Sequence, residues 1–136
     1  MDAARGVPLA SGEQGTLYDR VGGDAGVDAL IVVFYRRVFA DPELSPFFEG
    51  VPRDRLRTMQ HEFFSAALDG PVAYGGRPLR EVHAGLGIQL RHLSRFLGHL
   101  METLSEHSIT EADRYEIYSR INTYADEITG STPIGG

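Results

Sequence analysis

The sequence predicts an all-α fold, and three observations carry that reading. Apolar residues recur at three- and four-residue spacing through most of the chain. Glycine and proline clusters, such as Gly22-Gly23 and Asp69-Gly70-Pro71, divide the pattern into helix-length blocks. No stretch alternates apolar and polar residues as a half-buried strand would.

The elements follow in order. Residues 1–15 are small and polar and 130–136 form a Gly/Ser/Thr/Pro tail, so flexible ends are expected around one domain spanning 16–129. Thr16 caps a short first helix that ends at Gly22-Gly23. Asp24 caps a second that runs to about Ala40, with Val27, Leu30, Ile31, Phe34, Tyr35 and Val38 on its apolar face. Asp41-Pro42, a cap followed by proline at the first helical position, opens a short third helix that closes in Pro46-Phe47-Phe48-Glu49-Gly50. Pro52 starts a fourth, ended near Leu68 by Asp69-Gly70-Pro71. After an irregular stretch through Tyr74 and Pro78, Leu79 to Ala84 form a short helical piece carrying His83. A longer helix runs from about Ile88 to Ser105. Thr110 with Asp113 reads as a capping box and opens a last helix to about Ile128.

Composition narrows the function classes. The chain has 136 residues, 42% apolar and 24% charged, ordinary for a globular domain. A net charge of −6 disfavours nucleic acid and anionic membrane surfaces as partners. The absence of cysteine excludes disulfides, thiolate nucleophiles, iron–sulfur clusters and Cys-type zinc sites, and fits a reducing cytoplasm. The first fifteen residues lack the pattern of a signal peptide, and the strongest apolar run, Ala29 to Phe34, is too short to span a bilayer. A cytoplasmic protein is the expectation.

Three side chains invite a chemical reading. Leu56, Gln60, Phe63, Phe64 and Ala67 share one face of the fourth helix, apolar except for Gln60, whose amide needs a partner, either a nearby backbone group or a ligand. Tyr35 belongs to the buried face of the second helix, as a core residue or as a donor. His83 ends its short helix just before Gly85 and Gly87, which release the chain. Among the other histidines, His61 points off the apolar face toward solvent, His92 and His99 read as packing residues, and His107 lies in a turn. A single imidazole can hold haem iron from one side, apolar walls can hold the ring, and donors such as Tyr35 and Gln60 suit a bound diatomic gas that draws negative charge. Each such hydrogen bond contributes about 1–3 kcal/mol.

The chain resembles the group I truncated haemoglobins, the two-over-two helical globins. The resemblance runs from about Thr16 to Thr129. It includes Leu17-Tyr18-Asp19-Arg20-Val21-Gly22-Gly23, Phe34-Tyr35, Val38-Phe39-Ala40-Asp41, Phe47-Phe48, Gln60 with Phe63-Phe64, Gly70-Pro71, Tyr74-Gly75-Gly76 and Val82 to Ile88. It implies haem b (iron protoporphyrin IX), with His83 as proximal iron ligand and Tyr35 and Gln60 as distal donors to bound dioxygen. Phe48 would wedge against the haem face and Leu56 would stand where larger globins carry a distal histidine. Phe63, Phe64, Leu79, Ile88 and Phe96 would complete the walls, with Phe64 linked to the gating of a gas tunnel. Met59 stands where many members carry a propionate-pairing lysine, so propionate contacts are assigned to Arg55 and Tyr74. The bulk of Phe96 counts against an open tunnel, and the family's basic leader is missing.

The expected function is reversible binding of dioxygen and other diatomic gases, including carbon monoxide. The enzymatic alternative is nitric oxide dioxygenase, which converts nitric oxide to nitrate and needs a reductase. The third reading is a haem-free helical domain for regulation or protein contact.

Overall fold

Thr16 begins the first helix, α1 (Leu17–Arg20), through a reciprocal cap. Its Oγ1 accepts the Asp19 N–H at 3.1 Å, and Asp19 Oδ2 accepts the Thr16 N–H at 3.2 Å. The computed structural model describes residues 15–71, 73–76 and 78–129. The flexible ends expected over 1–15 and 130–136 lie, Gly15 apart, outside the described residues. The remaining helices are α2 (Gly23–Ala40), α3 (Arg53–Ala67), α4 (Leu79–His83), α5 (Leu90–Ser105), α6 (Glu111–Asn122) and α7 (Ala125–Thr129), with a 3-10 turn at Ser45–Phe48 between α2 and α3. No strand occurs among the described residues.

Helix α2 packs against both α3 and α5, and α5 packs against α6. The result is two helix pairs, α2/α3 and α5/α6, joined through α2 and α5. Their shared core includes Val27, Phe34 and Val38 from α2 and Leu97, Leu100 and Leu104 from α5, with Ile117 and Ile121 of α6 beneath. Removing each of these side chains from water stabilises the fold by about 1.5–3 kcal/mol. Helix α5 is the most sharply two-faced. Leu93, Leu97, Leu100 and Leu104 fall on its buried side, while Arg91, Arg95 and Glu102 stay outside. The short helices α4 and α7 pack together beside this stack. No helix among the described residues is long and apolar enough to cross a membrane.

Several local expectations are corrected. Gly22, not Asp24, is the residue preceding α2; its φ of 107° suits glycine. Asp24 lies in the first turn of α2, and its Oδ1 is 2.7 Å from Nε2 of His61. His61 is therefore half-buried and paired across α2 and α3, not turned to solvent. Asp41-Pro42 does not open a helix, because Asp41 Oδ1 accepts the Glu43 N–H at 2.9 Å and holds a turn; the 3-10 turn starts only at Ser45. Thr110 does cap α6, accepting the Asp113 N–H at 3.1 Å, but the Asp113 carboxylate serves Arg20 Nε of α1 at 3.0 Å. The last helix is interrupted at Thr123, whose hydroxyl donates to the Arg120 carbonyl at 2.6 Å.

One polar cluster ties α2 to α5. The Asp41 side chain, 2% exposed, accepts two hydrogen bonds from Arg95 at 3.0 and 2.9 Å, and its Oδ2 lies 2.8 Å from His99 Nε2. Hydrogen bonds from Arg95, then from His99, hold its carboxyl far below the usual carboxylate range despite burial. A carboxyl depressed in the folded state stabilises the fold above its ordinary value, about 3.9, and that stabilisation is lost as pH falls through the folded value. The thermal midpoint should therefore drop as pH falls below about 4, and Asp41→Asn should lower the midpoint at pH 7 while flattening that acid limb. Circular dichroism melts between pH 3 and 7 check this; an acid limb equally steep in the variant would contradict it.

Candidate functional site

The two helix pairs and the short helices α4 and α7 enclose a cavity of about 370 Å³, within the range of about 300–1,000 Å³ typical of small-molecule and cofactor sites. Its wall is mostly apolar. Leu44, Phe47 and Phe48 line it from the segment after α2, Leu56, Phe63 and Phe64 from α3, and Leu93 and Phe96 from α5. Leu79, Leu86 and Ile88 line it around α4. Leu86 and Val51, 45% and 37% exposed, are apolar residues of this wall left facing water.

Tyr35 reaches the cavity from α2. Its ring is clasped edge-on by Phe48 and Phe96, with centroids 5.9 and 6.3 Å away, and by Phe34 at 5.0 Å. The residue is buried, and its hydroxyl has no hydrogen-bond partner among the described residues. Burial without a partner pushes the phenol well above its ordinary pKa. Gln60 lines the cavity one turn beyond Leu56 on α3, also with no hydrogen-bond partner among the described residues. Buried polar groups normally find partners, so the buried Tyr35 hydroxyl, with the half-buried Gln60 amide on the same cavity, marks a place for a ligand.

His83 closes α4 and lines the same cavity. Its Nδ1 is 2.7 Å from the Leu79 carbonyl oxygen, one turn earlier. A carbonyl only accepts, so Nδ1 carries the proton and Nε2 keeps its lone pair. Gly85 and Gly87, with φ of 78° and 74°, turn the chain away immediately afterwards. Among the described residues no three His, Cys, Asp or Glu side chains gather as metal ligands. An imidazole nitrogen offered singly from an apolar wall is instead suited to a metal that arrives inside its own organic ring.

The remaining sequence candidates divide. Tyr74 lines the cavity, its ring edge-on to Phe63 at 6.1 Å. Arg55 is exposed on α3 and is not among the lining residues. His92, read from sequence as a packing residue, also lines the cavity. The signal was its four-residue spacing from Phe96, which puts both on one face of α5.

Comparison with known proteins decides the family. The model of the bacterial-like globins matches residues 16–130. A group 1 truncated haemoglobin of Mycolicibacterium paratuberculosis is 40% identical over 116 residues, 85% of each chain. The chain belongs to the group 1 truncated haemoglobins. The crystal structure of the Tetrahymena pyriformis truncated haemoglobin in its Fe(III) form superposes with a TM-score of 0.80 at 29% identity, covering 84% of this chain and 97% of that one. Chlamydomonas reinhardtii THB1 does so with 0.73 at 32% identity, covering 83% and 95%. The two paired helices of this globin are thus the two-over-two arrangement.

The residues present fit the haem that membership of this family implies. The cavity has the size and apolar wall for a flat ring, a free imidazole nitrogen for its metal, and unpartnered donors for a ligand. One consequence concerns Tyr35 in this globin. It should stay protonated at a pH where an ordinary phenol ionises. Absorbance at 295 nm followed up to about pH 11, one unit above the ordinary tyrosine value, should have the same amplitude in Tyr35→Phe as in the parent; a smaller amplitude would show that Tyr35 titrates normally.

Proposed function

We propose that this globin holds haem b in the cavity and binds dioxygen, and other diatomic gases such as carbon monoxide and nitric oxide, reversibly. The observation that carries the reading is the unpartnered, buried Tyr35 hydroxyl on the same cavity as the bare Nε2 of His83. When bound, haem supplies the iron that takes the gas. His83 ligates that iron through Nε2, and the Leu79 carbonyl fixes the orientation of the ring. Tyr35 O–H and the Gln60 amide would serve as hydrogen-bond donors to a gas held in the cavity. Dioxygen gains more from these donors than carbon monoxide, which gathers less charge.

The apolar wall of Phe48, Leu56, Phe63, Leu79, Ile88 and Phe96 would hold the ring and keep water from the site, and Tyr74 would offer it a polar contact. Phe64 also borders a small apolar void of about 10 Å³ among Val27, Ile31, Leu100 and Ile117, which supports a role in controlling gas passage. The net charge of −6 disfavours a nucleic-acid or anionic-membrane partner.

Purified protein mixed with haemin should give a Soret band, and His83→Ala should weaken haem retention and abolish the ferrous spectrum of the parent. An unchanged spectrum would remove His83 from the iron. Tyr35→Phe should speed dioxygen release by about tenfold or more, the loss expected for a hydrogen bond to a charged group, and leave carbon monoxide release nearly unchanged. Equal dioxygen off-rates in stopped flow would take Tyr35 out of ligand binding. Nitrate formed over many turnovers from nitric oxide, with a competent reductase, would replace reversible binding with the dioxygenase alternative.

A further inference from the structure

We infer that His92 is an anchoring residue for a carboxylate of the cofactor, donating to it through Nε2–H at the end of the cavity where α5 begins. The inference rests on the haem reading above and adds a site for the acidic side groups of that ring.

Two histidines line the cavity in opposite tautomers. His83 turns Nδ1 to a carbonyl, which leaves Nε2 bare. His92 turns Nδ1 to the backbone N–H of Gln89 at 2.9 Å. An N–H only donates, so Nδ1 of His92 is the acceptor and the proton sits on Nε2. A protonated Nε2 is a donor and not a metal ligand. His92 is 7% exposed, and its ring is held edge-on by Phe47 at 4.8 Å between centroids. Its Nε2–H has no hydrogen-bond partner among the described residues. Buried N–H groups are rarely left so.

The chemistry of the missing acceptor follows from the surroundings. His92 is the third residue of a 16-residue helix, at the positive end of its dipole, which favours an anion. No arginine is among the described residues lining the cavity, and the chain has no lysine. Met59, which does line it, offers only a thioether. Arg91, the neighbour of His92, is engaged by Glu43 at 2.6 Å and by the Gln89 side-chain oxygen at 3.2 Å. Protoporphyrin carries two carboxylates, and the buried, fixed Nε2–H of His92 is a donor this wall provides for one of them.

The test compares holoprotein loaded with haemin against holoprotein loaded with haemin dimethyl ester, whose carboxylates are blocked. Loss of the cofactor to excess apomyoglobin is read from the Soret change at pH 7. His92→Phe should release haemin about tenfold faster than the parent, as loss of a charge-assisted hydrogen bond requires, yet release the dimethyl ester at close to the parent's rate. His92→Gln, which keeps an N–H donor, should restore part of the haemin retention. Equal acceleration for both cofactors would show that His92 only packs, and no acceleration for either would remove it from the site; both overturn the inference while the haem reading stands. A parent protein that forms no Soret complex with either cofactor would overturn the haem reading and this inference with it.

Discussion

The hydrogen bond from His83 Nδ1 to the Leu79 carbonyl organises the site. It sets the tautomer, and the tautomer decides which nitrogen can act as a base toward the cavity. It also spans one turn of a five-residue helix, so the imidazole and the helix that bears it stabilise one another. A helix this short has little intrinsic stability. Its packing against α7, and the glycines that release the chain after it, hold it at the edge of a cavity walled also by α3, α5 and the segment after α2. The larger core from α2, α5 and α6 gives that arrangement a fixed frame.

Charge is deployed with similar economy. Asp41 is buried where α2 ends and draws Arg95 and His99 of α5 onto itself. Arg37 of α2 adds contacts to Thr103, Glu102 and Glu106 of the same helix. Arg120 of α6 reaches the Ala67 carbonyl and Asp69, where α3 ends. Pairs of this kind at the surface contribute little each. Their value here is positional, because they join helices whose faces are already packed.

Features that depend on near neighbours could be read from the sequence. The Thr16 cap, the break at Asp69-Gly70-Pro71 and the apolar faces of α2 and α3 are decided by residues within a turn or two. The grouping of Leu56, Gln60, Phe63 and Phe64 on one side of α3 follows from spacing alone, as does the placement of His83 at a helix end. What escaped reading depends on partners distant in the chain. Asp113 abandons its own cap because Arg20 lies beside it, and His61 is sheltered because Asp24 meets it from another helix. His92 was opaque for the same reason. Neither its burial nor the side on which it carries its proton can be known until Phe47 and the cavity are in place.

The apolar rim bears on how firmly the cavity can hold a flat guest. Leu86 and Val51 sit in its wall and are 45% and 37% exposed. An apolar ring seated against them would take both from water, so burial at the mouth would add to the grip of the deeper wall.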